Sequence, residues 1–342
     1  MQKGCSHILT STTFKNVIHS VENTYQTLDC TGAALVIFHN NELKVEQYYG
    51  KQSAKEDARL VQPDTKFHIA SCRKSYVAFA VAYALHYGYI RSLDDEILMY
   101  LPLSHQKEIY KGTTIRHLVT HSHGLTESNG EGVREFTAGT SWAYRGINVE
   151  LISEIIQFTT KKTIAAIVND EVFTPLNFTE TNWYNTFDDT FVDVIGKENN
   201  RHWSASKNLD GSKMNMYVSA RELAKWGLIH LNKGSLNGEQ VLDPNIFKLA
   251  TTIQSTPYSN VDLPDNGIFW FVKASQAKKS EIGALVPNGA YQILGYTTVT
   301  LLVIPSENIV AVRAFNSYGN PEGYDYLKDV RAFGDAIILD LK

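Results

Sequence analysis

Cysteine is scarce: Cys5, Cys30 and Cys72 are the three thiols of a 342-residue chain. They are too few and too scattered for a disulfide framework or a zinc site, and at least one must stay unpaired, which suggests a reducing compartment. A basic excess is missing as well, because 32 Lys and Arg face 36 Asp and Glu for a net charge of -4. Such a balance does not suit a phosphate backbone, so nucleic acid is not an expected partner. Apolar runs of roughly 18 residues or more are also lacking. The most apolar segment, Val77 to Leu85, is flanked by Arg73, Lys74 and Arg91, so no membrane segment is expected. Met1 to Val21 shows neither a positive start with an apolar run nor a small-residue cleavage site, and the chain reads as cytoplasmic. Internal repeats, low-complexity linkers and long charge runs do not occur.

What remains is a globular composition, 43% hydrophobic and 20% charged, with material for a large core. Two β-rich ends enclose a helix-rich middle. Ala33 to Asn40 and Leu43 to Gly50 read as a hairpin around the Asn40-Asn41 turn. Phe269 to Lys273, Thr297 to Ile304 and Ile309 to Phe315 have the same β-branched and aromatic character, with Pro305 to Asn308 as a turn. Leu327, Val330, Phe333, Ile337, Ile338 and Leu341 recur at helical spacing, so Tyr326 to Leu341 predicts a terminal helix over the sheet. Helical patterns also span Ser71 to Tyr87, Asn148 to Phe158 (continuing into Lys162 to Phe173) and Ala220 to Asn232. The expected architecture is α/β (α+β): an antiparallel sheet flanked by helices and built from both termini, residues 1–90 and 255–342. A helical lobe, residues 91–254, is inserted, with a cleft between the lobes.

Ser-x-x-Lys occurs four times, starting at Ser71, Ser104, Ser204 and Ser275. Three of these lie in polar surroundings, where a lysine is a solvated cation. At Ser71 an extended segment, TKFHIA, leads into the apolar SYVAFAVAYALHYG, the pattern of a buried helix. Residues three apart share a helix face, so Ser71 and Lys74 project together from the first turn. Burial disfavours a charged lysine, and a neutral amine can take the proton of a serine hydroxyl. Unpaired amides at a helix start favour the negative charge that develops in acyl transfer. Spacing alone fits an N-cap serine followed by a snorkelling lysine better than catalysis, and the buried helix brings the two readings level. Cys72 points elsewhere around the helix and reads as a small buried hydrophobe, while Arg73 is expected to leave the core for a carboxylate.

In FHIASCRKSYVAFA the chain resembles the serine hydrolases built like class C β-lactamases, DD-peptidases and related esterases. TIRHLVTHSHGL, AGTSWAYRGINVELISEIIQ, VFTPLNFTETNW and MYVSARELAKWGLIHLNKGSLNGEQVL are similar to further stretches of that family, in the family's order. The resemblance implies a β-lactamase/transpeptidase-like fold, with Ser71 as acylated nucleophile, Lys74 as its proton partner and Tyr144 as a second acid/base group. A phenol held as phenolate beside an ammonium could shuttle protons in this way. Without the family pattern, Tyr144 would be one packing tyrosine among 18.

Two departures accompany the likeness. The family's asparagine two residues after the tyrosine is Gly146 here, and Asn148 would replace it only in a shifted loop. The third element falls at Ile293-Leu294-Gly295, without the usual cation or imidazole. Gly295 would still let a substrate approach the backbone, and the resemblance makes the amides of Ser71 and Tyr296 a two-donor oxyanion hole. Arg313 is an alternative anchor for a substrate, with pairing to an acid as its plainer role. His105, His117, His121 and His123 show no metal-ligand spacing, and phosphate loops are missing, so no metal or cofactor is expected. Arg201, His202 and Trp203 are a possible cleft rim. The expected function is hydrolysis of a small-molecule acyl substrate, an uncharged ester or amide better than a penicillin. The altered elements also fit a binding or scaffold protein that keeps the fold without turnover.

Overall fold

Asn40 and Asn41 both take left-handed backbone, φ 54° and 62°, a conformation that asparagine tolerates and that tight hairpin turns require. They join β2 (Gly32–His39) to β3 (Glu42–Gly50), with His39 opposite Glu42. In the computed structural model, which describes residues 5–9, 12–105, 107–128, 131–195, 206–274 and 277–342, this hairpin belongs to an eight-stranded antiparallel sheet. The other strands are β1 (Cys5–Leu9), β4 (Asp265–Asn266), β5 (Phe271–Val272), β6 (Tyr291–Gly295), β7 (Val299–Ile304) and β8 (Ile309–Phe315). Their order is β1-β3-β2-β8-β7-β6-β5-β4, so both ends of the chain build one sheet.

Period-two alternation divides the sheet residues between two cores. Along β8, Ile309, Ala311 and Phe315 face α1 (Lys15–Thr27) and α5 (Tyr326–Asp340), where Phe14, Val17, Phe333 and Ile337 are buried with them. Val310, Val312 and Ala314 face the second core. This core holds α2 (Lys74–His86) and α4 (Ala220–Leu231), and it continues to α3 (Ile147–Thr160). A Cβ at Gly227 would lie 2.5 Å from Val310 and 2.7 Å from Leu301, so α4 needs glycine to lie this close to the sheet. Tyr76 of α2 stacks on Trp226 of α4 at 4.7 Å, and Trp226 Nε1 donates to Ser75 Oγ.

Several boundaries differ from the sequence expectation for identifiable reasons. Ala220–Leu231, expected in the inserted lobe, packs on β2, β7 and β8 instead. Strand β7 begins at Val299 because Thr298 turns left-handed, φ 61°, and Phe269 (φ 61°) likewise delays the start of β5. The helix after Lys162 is interrupted: Lys161 ends α3 at φ 60°, Thr163 caps a short helix at Ile164–Val168, and a π turn follows over Asn169–Phe173. Cys30 and Cys72 are both buried. Among the described residues, no helix is long and apolar enough to cross a membrane.

Candidate active site

The chain leaves the short strand Lys66–His68 through a strained turn in which Ala70 has φ 45°. His68 holds that turn: its Nδ1 accepts from the Ala70 amide at 3.2 Å and its Nε2 donates to Met214 O at 2.6 Å. Burial pushes this imidazole down to about 4, which keeps it neutral. Ala70–Arg73 then form a 3-10 turn, and the α-helix begins only at Lys74. In a 3-10 turn residues three apart eclipse one another, so Ser71 and Lys74 meet more directly than α-helical spacing would bring them.

Lys74 Nζ lies 3.0 Å from Ser71 Oγ and 2.8 Å from Tyr144 Oη, and it is also 4.4 Å from the Tyr144 ring centre. No carboxylate ion pair forms on this amine among the described residues; its hydrogen-bond partners are two hydroxyls. Desolvation, reinforced by neighbouring Arg73, lowers its pKa well below that of a free lysine. Tyr144 is moved the opposite way, upward, chiefly by burial. Burial thus disfavours the charged form of both groups, the ammonium and the phenolate alike.

Tyr144 is fixed by its rings. His121 stacks on it at 4.4 Å and 21°, while Phe271 lies parallel on the ring at 6.5 Å. The Ala143 amide donates to His121 O at 3.0 Å, which ties the tyrosine loop to the histidine segment. Asn148 Nδ2 donates to His121 Nδ1 and to Leu118 O, at 3.1 and 3.0 Å. This corrects the expectation that Asn148 binds substrate. Gly146 caps α3, so Asn148 falls on the inner face of the first turn, fully buried behind Tyr144. His117 and His123 also serve their own turns, accepting from the amides of Thr114 and Leu125.

Arg313 is the second correction. Its place on β8 turns it to the face under α5, where it pairs with Asp329 at 2.7 Å and lies 4.9 Å from the Phe333 ring, with no exposure. It anchors the helix and lies apart from the cleft. Among the described residues Arg73 pairs with no carboxylate; it donates to the carbonyls of Ser212 and Lys213, and burial lowers it to about 10. Cys72 is a buried thiol, hydrogen-bonded to Ile293 O and Val299 O, with its pKa raised by burial.

A cavity of about 730 Å³ opens above the amine. Ser71, Lys74, Tyr144, Gly146, Leu294, Gly295 and Tyr296 line it. A Cβ on Gly295 would sit 2.3 Å from Ile69 O, so glycine there brings the end of β6 against the Ser71 turn. The Tyr296 amide makes no hydrogen bond among the described residues. Glu281, absent from the sequence expectations, lines the same cavity and accepts from Tyr326 Oη at 3.0 Å; burial raises its carboxyl to about 7. Arg201, His202 and Trp203, the expected rim, lie outside the described residues.

The chain is 51% identical over 331 residues to an uncharacterized protein of Alkalihalophilus pseudofirmus, 97% of each chain being covered. A solved penicillin-binding protein homolog from Caulobacter crescentus superposes with a TM-score of 0.77 at 17% identity, covering 98% of this chain and 100% of that one. EstCE1, described as a hydrolase with promiscuous acyltransferase activity, superposes with a TM-score of 0.73 at 15% identity, over 95% of this chain and 98% of that one. Such identities establish a common fold with helices around an antiparallel sheet. The family model described as Beta-lactamase matches residues 19–335, and the chain therefore belongs to the β-lactamase family.

Proposed function

We propose that this protein is a serine acyl hydrolase that works through an acyl-enzyme on Ser71. One observation carries the reading: a buried amine without a carboxylate partner, hydrogen-bonded to both Ser71 Oγ and Tyr144 Oη at the floor of an open cavity. In this reading Lys74 takes the Ser71 proton as Oγ attacks the substrate carbonyl. The amides of Ser71 and Tyr296 hold the carbonyl oxygen as it gains charge. Tyr144 passes its proton to the departing oxygen or nitrogen and is reprotonated through Lys74. Water then adds to the acyl-enzyme by the same route, releasing the acid and restoring Ser71.

Small esters, amides and lactams are the expected substrate class. A substrate carboxylate finds no cation at Ile293 and none from Arg313, which is engaged under α5. A fluorophosphonate probe followed by mass spectrometry should label Ser71 in the wild type and leave Ser71→Ala unmodified. Equal labelling of the two proteins overturns the reading. The replacements at Gly146 and Ile293 favour the second reading, a scaffold without turnover. Loss of p-nitrophenyl acetate and nitrocefin hydrolysis to the buffer rate would support it.

A further inference from the structure

The same cavity that holds Lys74 also carries an acid. The carboxyl of Glu281 has one hydrogen bond, from Tyr326, and no ion pair among the described residues. Basic groups of the lining are engaged elsewhere: Arg73 on two carbonyls, Arg145 on Glu135 at 2.7 Å, and Lys213 on Glu150 at 2.7 Å. The cavity thus offers an enclosed acid without a counter-ion. The rings of Tyr144, Phe271, Tyr296, Tyr318 and Tyr326 line the same cavity. Aromatic faces carry negative potential and attract cations, most strongly where water is displaced. Burial holds the carboxyl up at about 7 even though Tyr326 and the Arg331 guanidinium, itself engaged on the carbonyls of Ser280 and Lys278, pull it down, and a bound cation would lower it further.

Position narrows the ligand further. Glu281 lines the same cavity as Tyr144, the group that in the acyl-transfer reading protonates the leaving atom, so that reading puts the acid on the leaving-group side of the scissile bond. Resting on the acyl-transfer reading, we propose that Glu281 and its surrounding rings select esters and amides whose leaving group carries an ammonium, quaternary or protonated, a short alkyl chain from the scissile atom. Hydrolysis of such an ester breaks the acyl C–O bond, adds water, and releases the carboxylic acid and a cationic alcohol. The positively charged product then leaves the same wall.

Acetylthiocholine and S-(3,3-dimethylbutyl) thioacetate have the same shape and differ by the positive nitrogen. The wild type should favour the cationic thioester by about tenfold or more in kcat/KM, carried mainly by KM. The preference should fall toward unity in Glu281→Gln and remain partly in Glu281→Asp. A wild-type ratio near one, or a preference that survives Glu281→Gln, overturns the proposal. Calorimetry on the Ser71→Ala protein tests it without turnover: choline should bind at least about tenfold more tightly than 3,3-dimethylbutanol. Equal affinities, or no choline binding, overturn the cation site. If neither thioester is hydrolysed while choline binds, the acyl-transfer reading fails and the cation site stands.

Discussion

Lys74 and Arg313 both carry basic groups into the interior, at opposite sides of the same sheet, and their partners give them opposite roles. Arg313 meets the Asp329 carboxylate at 2.7 Å, and Asp329 also accepts from Tyr324 and Thr24 at 2.6 and 2.5 Å. This is a closed structural network that ties β8 to α5 and α1. Lys74 meets two hydroxyls and, among the described residues, no acid, in an open cavity. Without a counter-ion, burial disfavours its protonated form, which is what a base requires. The contrast shows that partner chemistry, more than depth, separates a structural cation from a reactive amine.

Removing the amine should have the largest effect. Lys74→Met is expected to slow fluorophosphonate labelling of Ser71 by about 10²–10⁴-fold, while the folded protein is as stable as wild type or more so at pH 7. Because burial lowers the folded-state pKa of this amine, the unfolded chain binds more protons below the normal lysine pKa of about 10.4. Wild-type stability should therefore rise with pH toward that value relative to Lys74→Met, as read by denaturant titrations across pH. A variant that loses stability but keeps its labelling rate would make Lys74 a structural residue like Arg313.

Next in size is the opposite lesion. Arg313→Met leaves Asp329 buried without its cation and should cost about 3–5 kcal/mol in urea unfolding. Labelling of Ser71 per folded molecule should stay unchanged, and the double variant Arg313→Met, Asp329→Leu should regain most of the loss. A large catalytic defect in the folded single variant would return Arg313 to the site.

Glu281 gives the smallest effect and the opposite pH slope. Its folded-state pKa of about 7 lies above the unfolded value of about 4.3. The native state thus binds more protons in that interval, and the resulting stability is present below it and lost as pH rises through about 7. Glu281→Gln should exceed the wild type by on the order of 1–3 kcal/mol at pH 8 and match it near pH 4. No pH-dependent difference would mean that the carboxyl is already balanced by a charge.

Ser71 and Lys74 were legible because they are local: three residues apart, at the point where an extended segment becomes an all-apolar helix. The hairpin at Asn40-Asn41 was legible for the same reason, a turn written in two adjacent residues. Asn148 and Arg313 were misplaced because a helix face and a strand face decide where they point, and both faces turn away from the cleft. His121 and His68 act through a ring stack on Tyr144 and a turn amide, contacts that residue spacing does not encode. Glu281 was overlooked because VKASQAKKSEIG reads as an exposed polar stretch. Packing of Tyr326 from the terminal helix places its carboxyl in the cavity wall.

Local pattern alone thus determined the Asn40-Asn41 hairpin, the two strands flanking Pro305 to Asn308, the helices beginning near Ser71, Asn148, Ala220 and Tyr326, the family likeness and the serine-lysine pair, since these depend on periodicities of two to four residues. Tertiary structure decided which basic group found an acid, which one burial pushed toward its neutral form, and what else lines the cavity of the nucleophile. Those outcomes depend on solvent exclusion and on partners far away in sequence, such as Lys74 with Tyr144 and Glu281 with Tyr326, which come together only when the chain has folded.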